Sequence, residues 1–114
     1  MPASAAKIDL ELAKAADAIN RTLPTFVDKW TRLDATMAAP GKELVYRYTL
    51  VTNGPVEGVF PDKGRFVEMV KERSQNNYRN SSDMECYRQS GVTLVYVYFD
   101  EEGNEYAKFK IRPE

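Results

Sequence analysis

Val92-Thr93-Leu94-Val95-Tyr96-Val97-Tyr98-Phe99 is followed by Asp100-Glu101-Glu102-Gly103-Asn104 and then by Glu105-Tyr106-Ala107-Lys108-Phe109-Lys110-Ile111-Arg112. The first eight residues are β-branched, Leu or aromatic, as in a strand that is apolar on both faces. The next five form an acidic turn with a glycine free to adopt positive φ. The last eight alternate, which predicts Ala107, Phe109 and Ile111 facing a core and Tyr106, Lys108, Lys110 and Arg112 facing out. A terminal β-hairpin follows, and with it a sheet as the frame of the fold.

Upstream, Glu43 to Thr52 reads as a second clear strand, with Leu44, Tyr46, Tyr48 and Leu50 on one side and Val45, Arg47, Thr49 and Val51 on the other. Trp30 to Ala38 also alternates, placing Leu33, Ala35 and Met37 opposite Arg32, Asp34 and Thr36. The Pro40-Gly41 turn then predicts a hairpin between these two strands. Asn53 to Pro61, with two Pro and two Gly, reads as an ordered loop.

Helical spacing occupies the rest. Ile8, Leu12, Ala15 and Ile19 line one face of a helix over Lys7 to Thr22, and Pro24 disfavours helical geometry at Leu23. Phe66, Met69, Val70 and Arg73 repeat the pattern from Asp62 to about Arg79, with Lys63, Glu68, Lys71 and Glu72 solvated. Ser82-Asp83-Met84-Glu85 has the form of a capping box, which predicts a short helix from Asp83 to Ser90 carrying Met84 and Tyr87 and capped by Gly91. Two hairpins with helices between them predict one α+β domain over residues 1–114: a four-stranded antiparallel sheet with helices packed mainly on one face.

Composition narrows the chemistry. At 114 residues and 13.0 kDa, the chain should fold to a surface of about 6,300 Å² from about 18,900 Å² unfolded, enough burial for one core. Sixteen Lys and Arg against seventeen Asp and Glu argue against nucleic-acid binding driven by excess positive charge. The absence of His excludes Ser-His, Cys-His and His-metal arrangements. A single Cys excludes thiolate zinc clusters and paired-cysteine redox chemistry within the chain. No apolar run is long enough to insert in a membrane. Met1 to Lys7 lacks the basic and apolar regions of an uncleaved signal peptide, although Ala3 and Ala5 resemble the flank of a cleavage site.

Leu23-Pro24-Thr25-Phe26-Val27-Asp28, Thr31-Arg32-Leu33-Asp34, Leu44-Val45-Tyr46-Arg47-Tyr48-Thr49-Leu50, Cys86, Gly91-Val92 and Tyr96-Val97-Tyr98-Phe99-Asp100-Glu101-Glu102-Gly103 together resemble a group of small uncharacterised bacterial proteins. The resemblance spans Ile19 to Ile111 in order. It implies an exported or membrane-tethered protein, hence a periplasmic or otherwise extracytoplasmic location, and carries no activity. Members often bear a second Cys just after the last strand. Here Cys86 stands alone, which leaves it free or paired outside these residues.

Two sets of residues are candidates for binding. Trp30 and Arg32 lie in the aromatic and charged stretch between the first helix and strand, and Trp and Arg are common interface anchors. Against this, Asp28 and Asp34 suit turn caps or pairs with Arg32, and Phe26, Val27 and Trp30 suit a core plug. Tyr106, Lys108 and Lys110, with Arg112 and Arg47, form a basic stripe whose ordinary role is a solvated face or a protected sheet edge. Tyr46, Tyr48, Tyr96 and Tyr98 form either a cross-strand aromatic ladder or an exposed platform for a peptide, glycan or nucleic acid.

The remaining signals carry less. Cys86 reads as a buried structural thiol or half of a disulfide, since a nucleophile would need activation by Lys, Arg or a helix N-terminus. Glu101 and Glu102 lack calcium-loop spacing, and the sequons at Asn20 and Asn80 are short patterns common by chance. No catalytic residue, metal site or cofactor is expected. The expected function is a non-enzymatic module that binds another protein, with no nucleic-acid partner. The alternatives are a structural or homo-oligomerising domain of an envelope assembly and, behind it, a carboxylate-based enzyme.

Overall fold

The computed structural model describes residues 5–113; of the stretch compared with a cleavage-site flank, Ala3 lies outside them and Ala5 opens the first helix. Helix α1 (Ala5–Asn20) leads to a two-residue strand β1 (Thr25–Phe26), then β2 (Thr31–Ala39) and β3 (Glu43–Leu50). After a single 3₁₀ turn over Val56–Gly58 come α2 (Lys63–Asn80), a second 3₁₀ turn at Ser82–Met84, α3 (Glu85–Ser90), and the hairpin of β4 (Thr93–Phe99) and β5 (Glu105–Ile111).

The sheet has five strands in the order β1-β2-β3-β4-β5, and its central pair, β3 and β4, is parallel. This corrects the expectation of a four-stranded antiparallel sheet. The cause is the long connection between the hairpins. The 18-residue α2 is about 27 Å long, enough to carry the chain back along the sheet, so that β4 starts at the same end as β3. Crossovers of this length join parallel neighbours, which a two-residue turn cannot do.

Two bulges then set which side chains face the helices. In β2 the pairing passes from Leu33↔Tyr48 to Ala35↔Arg47, leaving Asp34 without an opposite residue. Thr36 and Ala38 therefore face the helices, whereas Ala35 and Met37 lie on the open face, with Met37 60% exposed. The predicted inward row of Leu33, Ala35 and Met37 thus holds only at Leu33. In β5 the pairing passes from Tyr98↔Ala107 to Phe99↔Glu105. Tyr106 is the extra residue, and it turns under α2 instead of outward. One inserted residue reverses the alternation beyond it, because side chains in a strand have period two.

The core lies between the sheet and the two long helices. α1 rests over β2 and β3, α2 over β5. Leu12 and Ala16 from α1, Phe66, Val70 and Tyr78 from α2, and Leu44, Leu50, Leu94, Phe109 and Ile111 from the sheet are all buried in one cluster. Asp62 caps α2 by accepting from the Arg65 amide at 3.0 Å. The capping box expected at Ser82 does not form, because Ser82 lies inside the 3₁₀ turn and α3 starts at Glu85 without a side-chain cap. Arg88 instead reaches back to the carbonyls of Tyr78 and Ser81 at 2.7 and 2.5 Å, serving the orphaned end of α2. Gly91 closes α3 at φ 74°, left-handed geometry that suits glycine. None of the described helices is long and apolar enough to cross a membrane.

Candidate functional site

With α1 toward one side of the sheet and α2 toward the other, part of the face between them is left open. Its floor is tyrosine. Parallel pairing sets Tyr46 beside Tyr96 and Tyr48 beside Tyr98, with ring centroids 5.2 Å and 4.8 Å apart. Tyr46, Tyr48 and Tyr98 are buried and Tyr96 is half-buried. The ladder is therefore mainly a structural layer, wedged by Phe66, whose ring meets Tyr98 edge-on at 5.2 Å.

Over Tyr48, Tyr96 and Tyr98 the layer opens into a groove of about 510 Å³. One wall is α2, through Met69, Val70, Arg73, Ser74 and Asn77; the other is the β1–β2 loop, Val27 to Thr31. Asp28 shapes that loop, its Oδ1 accepting from the Trp30 and Thr31 amides at 2.9 Å each. Such an Asx arrangement holds a tight turn without help from a partner. Val27 is 54% exposed and Met69 53% exposed, so each wall carries a large apolar side chain into solvent. That is the configuration in which further burial lowers free energy.

The floor carries no charge at neutral pH. Burial, followed by the neighbouring tyrosines, raises the pKa values of Tyr48 and Tyr98 well above the usual phenol value, and burial also raises that of Tyr96. The positive charge of Arg73 works against all three shifts. At neutral pH the hydroxyls are uncharged groups able to donate and accept.

The sequence candidates separate in space. Trp30 lines the groove, half-buried, with Lys29 Nζ 4.8 Å from its ring centroid. Arg32 lies in the outer part of β2 and pairs with Asp34, Nε to Oδ1 at 2.6 Å; the same carboxylate accepts from the Thr49 hydroxyl. Tyr106 is 7% exposed, its hydroxyl donating to the Phe60 carbonyl at 2.8 Å and its ring 5.4 Å from Phe66. It is a core residue, and the outward Tyr106-Lys108-Lys110 stripe is corrected accordingly. Lys108 and Lys110 are exposed, with Lys110 paired to Glu43 at 2.9 Å. Arg47 lies over Phe99 at 4.2 Å on the open sheet face.

Phe26 and Val27, expected to plug the core, are 55% and 54% exposed instead, and sequence reasoning nominated neither Val27 nor Met69 nor Arg73 for the groove that they line. Met69 and Arg73 lie on the helix face shared with Phe66 and Val70, and only the offset of α2 from the sheet's centre exposes them. Among the described residues no three Cys, Asp or Glu side chains converge on a metal-sized site, and Cys86, expected to be buried or disulfide-bonded, is exposed and pairs with no described residue.

The architecture recurs in solved structures of low sequence identity. A Pseudomonas aeruginosa protein described as secreted superposes with a TM-score of 0.78 at 12% identity, over 96% of this chain and 94% of that one. The pilotin EpsS of the Vibrio vulnificus type 2 secretion system gives 0.68 at 8% identity, over 94% and 89%. The pilotin AspS of the Vibrio cholerae type II secretion system gives 0.64 at 12% identity, over 94% and 90%. No curated protein matches the chain. The family model described as a domain of unknown function, DUF8479, matches residues 8–107, and the chain belongs to that family.

Proposed function

We propose that the domain is a non-catalytic, extracytoplasmic binding module that receives an apolar segment of another protein in the groove between α2 and the β1–β2 loop, as an accessory of an envelope or secretion assembly. The observation that carries this is the pair of solvent-exposed apolar side chains, Val27 and Met69, on opposite walls of a groove floored by tyrosine. A partner segment entering there would cover both and gain aromatic contact below. Folds shared with a protein described as secreted and with two pilotins support the assembly and the location. Trp30 belongs to this surface; Lys108 and Lys110 border the open face of the sheet instead.

The test is a photo-crosslinking amino acid placed at position 69 in the source organism. One discrete envelope-protein adduct, lost when Val27→Asp is added, is the expected result. No adduct, or one indifferent to Val27→Asp, would defeat the reading. A reporter fusion to the full gene tests location, and a cytosolic signal would remove it.

A second reading, a self-associating domain, is favoured by the open sheet face, where Ala35, Met37, Val45, Val97 and Phe99 line an apolar depression with Arg47. Sedimentation decides it. A dimer dissociated by Met37→Glu supports self-association, and a monomer across the accessible concentration range excludes it.

A further inference from the structure

We propose that the segment held in the groove carries an acidic side chain within its apolar stretch, and that this carboxylate is read by Arg73. The inference deepens the groove-binding reading and rests on it. Arg73 is exposed at the groove wall, and among the described residues its guanidinium makes no hydrogen bond or ion pair. Helical neighbours three and four positions away are Met69, Val70, Asn76 and Asn77, so no carboxylate on its own helix lies where an intrahelical pair forms.

The rest of the groove does not supply one either. Its single lining carboxylate, Asp28, is held by two backbone amides on the far wall, and Lys29 adds a second cation beside Trp30. Two cations face one anion, a balance that favours an acidic visitor. A wholly apolar segment would cover Arg73, stripping water from its charge without replacing it, whereas a carboxylate offers the planar guanidinium a bidentate partner. The floor hydroxyls, phenols that are uncharged at neutral pH, do not repel that carboxylate.

Arg73 has lining residues on both sides of it along α2, Met69 and Val70 before, Asn77 after. The groove therefore continues past the guanidinium. That geometry suits an acid inside a passing segment more than a carboxylate at a chain end.

Two blocked tripeptides probe this, N-acetyl-Leu-Glu-Leu-amide and N-acetyl-Leu-Gln-Leu-amide, titrated into the isotope-labelled domain and followed by amide chemical shifts. The expected result is binding at groove residues with the Glu peptide about fivefold tighter, as for an exposed charge pair. Added salt should shrink the preference. Arg73→Gln should erase it. Equal affinities in the native domain, or a preference that survives Arg73→Gln, would overturn the acidic-segment proposal and leave groove binding standing. Absence of groove shifts with either peptide would overturn both.

Discussion

The side-chain amide of Asn20 makes both hydrogen bonds to the backbone of Thr36 that an adjacent strand would make. Its Nδ2 donates to the Thr36 carbonyl at 2.9 Å and its Oδ1 accepts from the Thr36 amide at 2.7 Å. The Thr36 hydroxyl also bonds Oδ1 and the Ala16 carbonyl, at 3.0 Å each. β1 pairs with β2 only at Leu33 and Arg32, so α1 supplies at Thr36 what the short edge strand does not. Nearer the start of α1, Asp9 makes a single such contact, accepting from the Lys42 amide in the turn after β2 at 2.8 Å.

Asn20→Ala should therefore cost about 1–3 kcal/mol, since a part-buried amide and carbonyl lose their partners together. Asn20→Asp should be no milder, because it keeps an acceptor for the amide but sets a carboxylate against the Thr36 carbonyl. Urea unfolding measures both. A change within a few tenths of a kcal/mol for Asn20→Ala would show that water serves the edge as well.

The two ends of the expected basic stripe should behave oppositely. Tyr106→Ala empties a buried aromatic site and should cost about 3–5 kcal/mol, with Tyr106→Phe near 1 kcal/mol for the lost bond to Phe60. Lys108→Ala should stay within about 0.5 kcal/mol. Thermal melts of the three variants distinguish this order from a uniformly exposed stripe, which would give three near-neutral changes.

Alkaline pH should unfold the domain through its tyrosines. Burial raises Tyr46, Tyr48 and Tyr98 well above the ordinary value of 10.0 and Tyr78 to about 12. A raised folded-state value means that the unfolded chain ionises first. Stability from these groups is intact below the ordinary value and declines as pH rises above it toward the folded-state values. Tyrosinate absorbance and circular dichroism should change together. Full ionisation of the tyrosines near the ordinary value with the fold intact would contradict the burial.

Gly91→Ala should destabilise the α3–β4 junction by about 1 kcal/mol, because φ 74° is strained for any residue with a Cβ. The added carbon would also lie 3.3 Å from Lys42 Nζ, which donates to the Ser90 carbonyl at 3.1 Å. Lys42→Ala/Gly91→Ala should recover only the part of the loss due to crowding. Full recovery would assign the cost to the lysine instead of the backbone.

Local chemistry made much of the fold legible. The span of both long helices, the four main strands, the Pro40-Gly41 turn, Gly91 as a cap and the acidic turn before β5 all follow from spacing and residue type, because each depends on neighbours a few positions away. The exclusion of histidine and paired-cysteine chemistry needed only the list of residues. Trp30 is a binding candidate from residue type alone, and it lines the groove.

Tertiary structure decided what depends on distant pairing. The parallel contact of β3 and β4 comes from where α2 returns the chain, and periodicity within either strand is the same for parallel and antiparallel neighbours. The bulges at Asp34 and Tyr106 reverse which side chains face the helices, and an extra residue is visible only when the opposite strand is present to count against. Val27, Met69 and Arg73 line one groove because α1 and α2 settle over different strands and leave tyrosines between them. That spacing is set by three-dimensional packing, and no stretch of the sequence contains it.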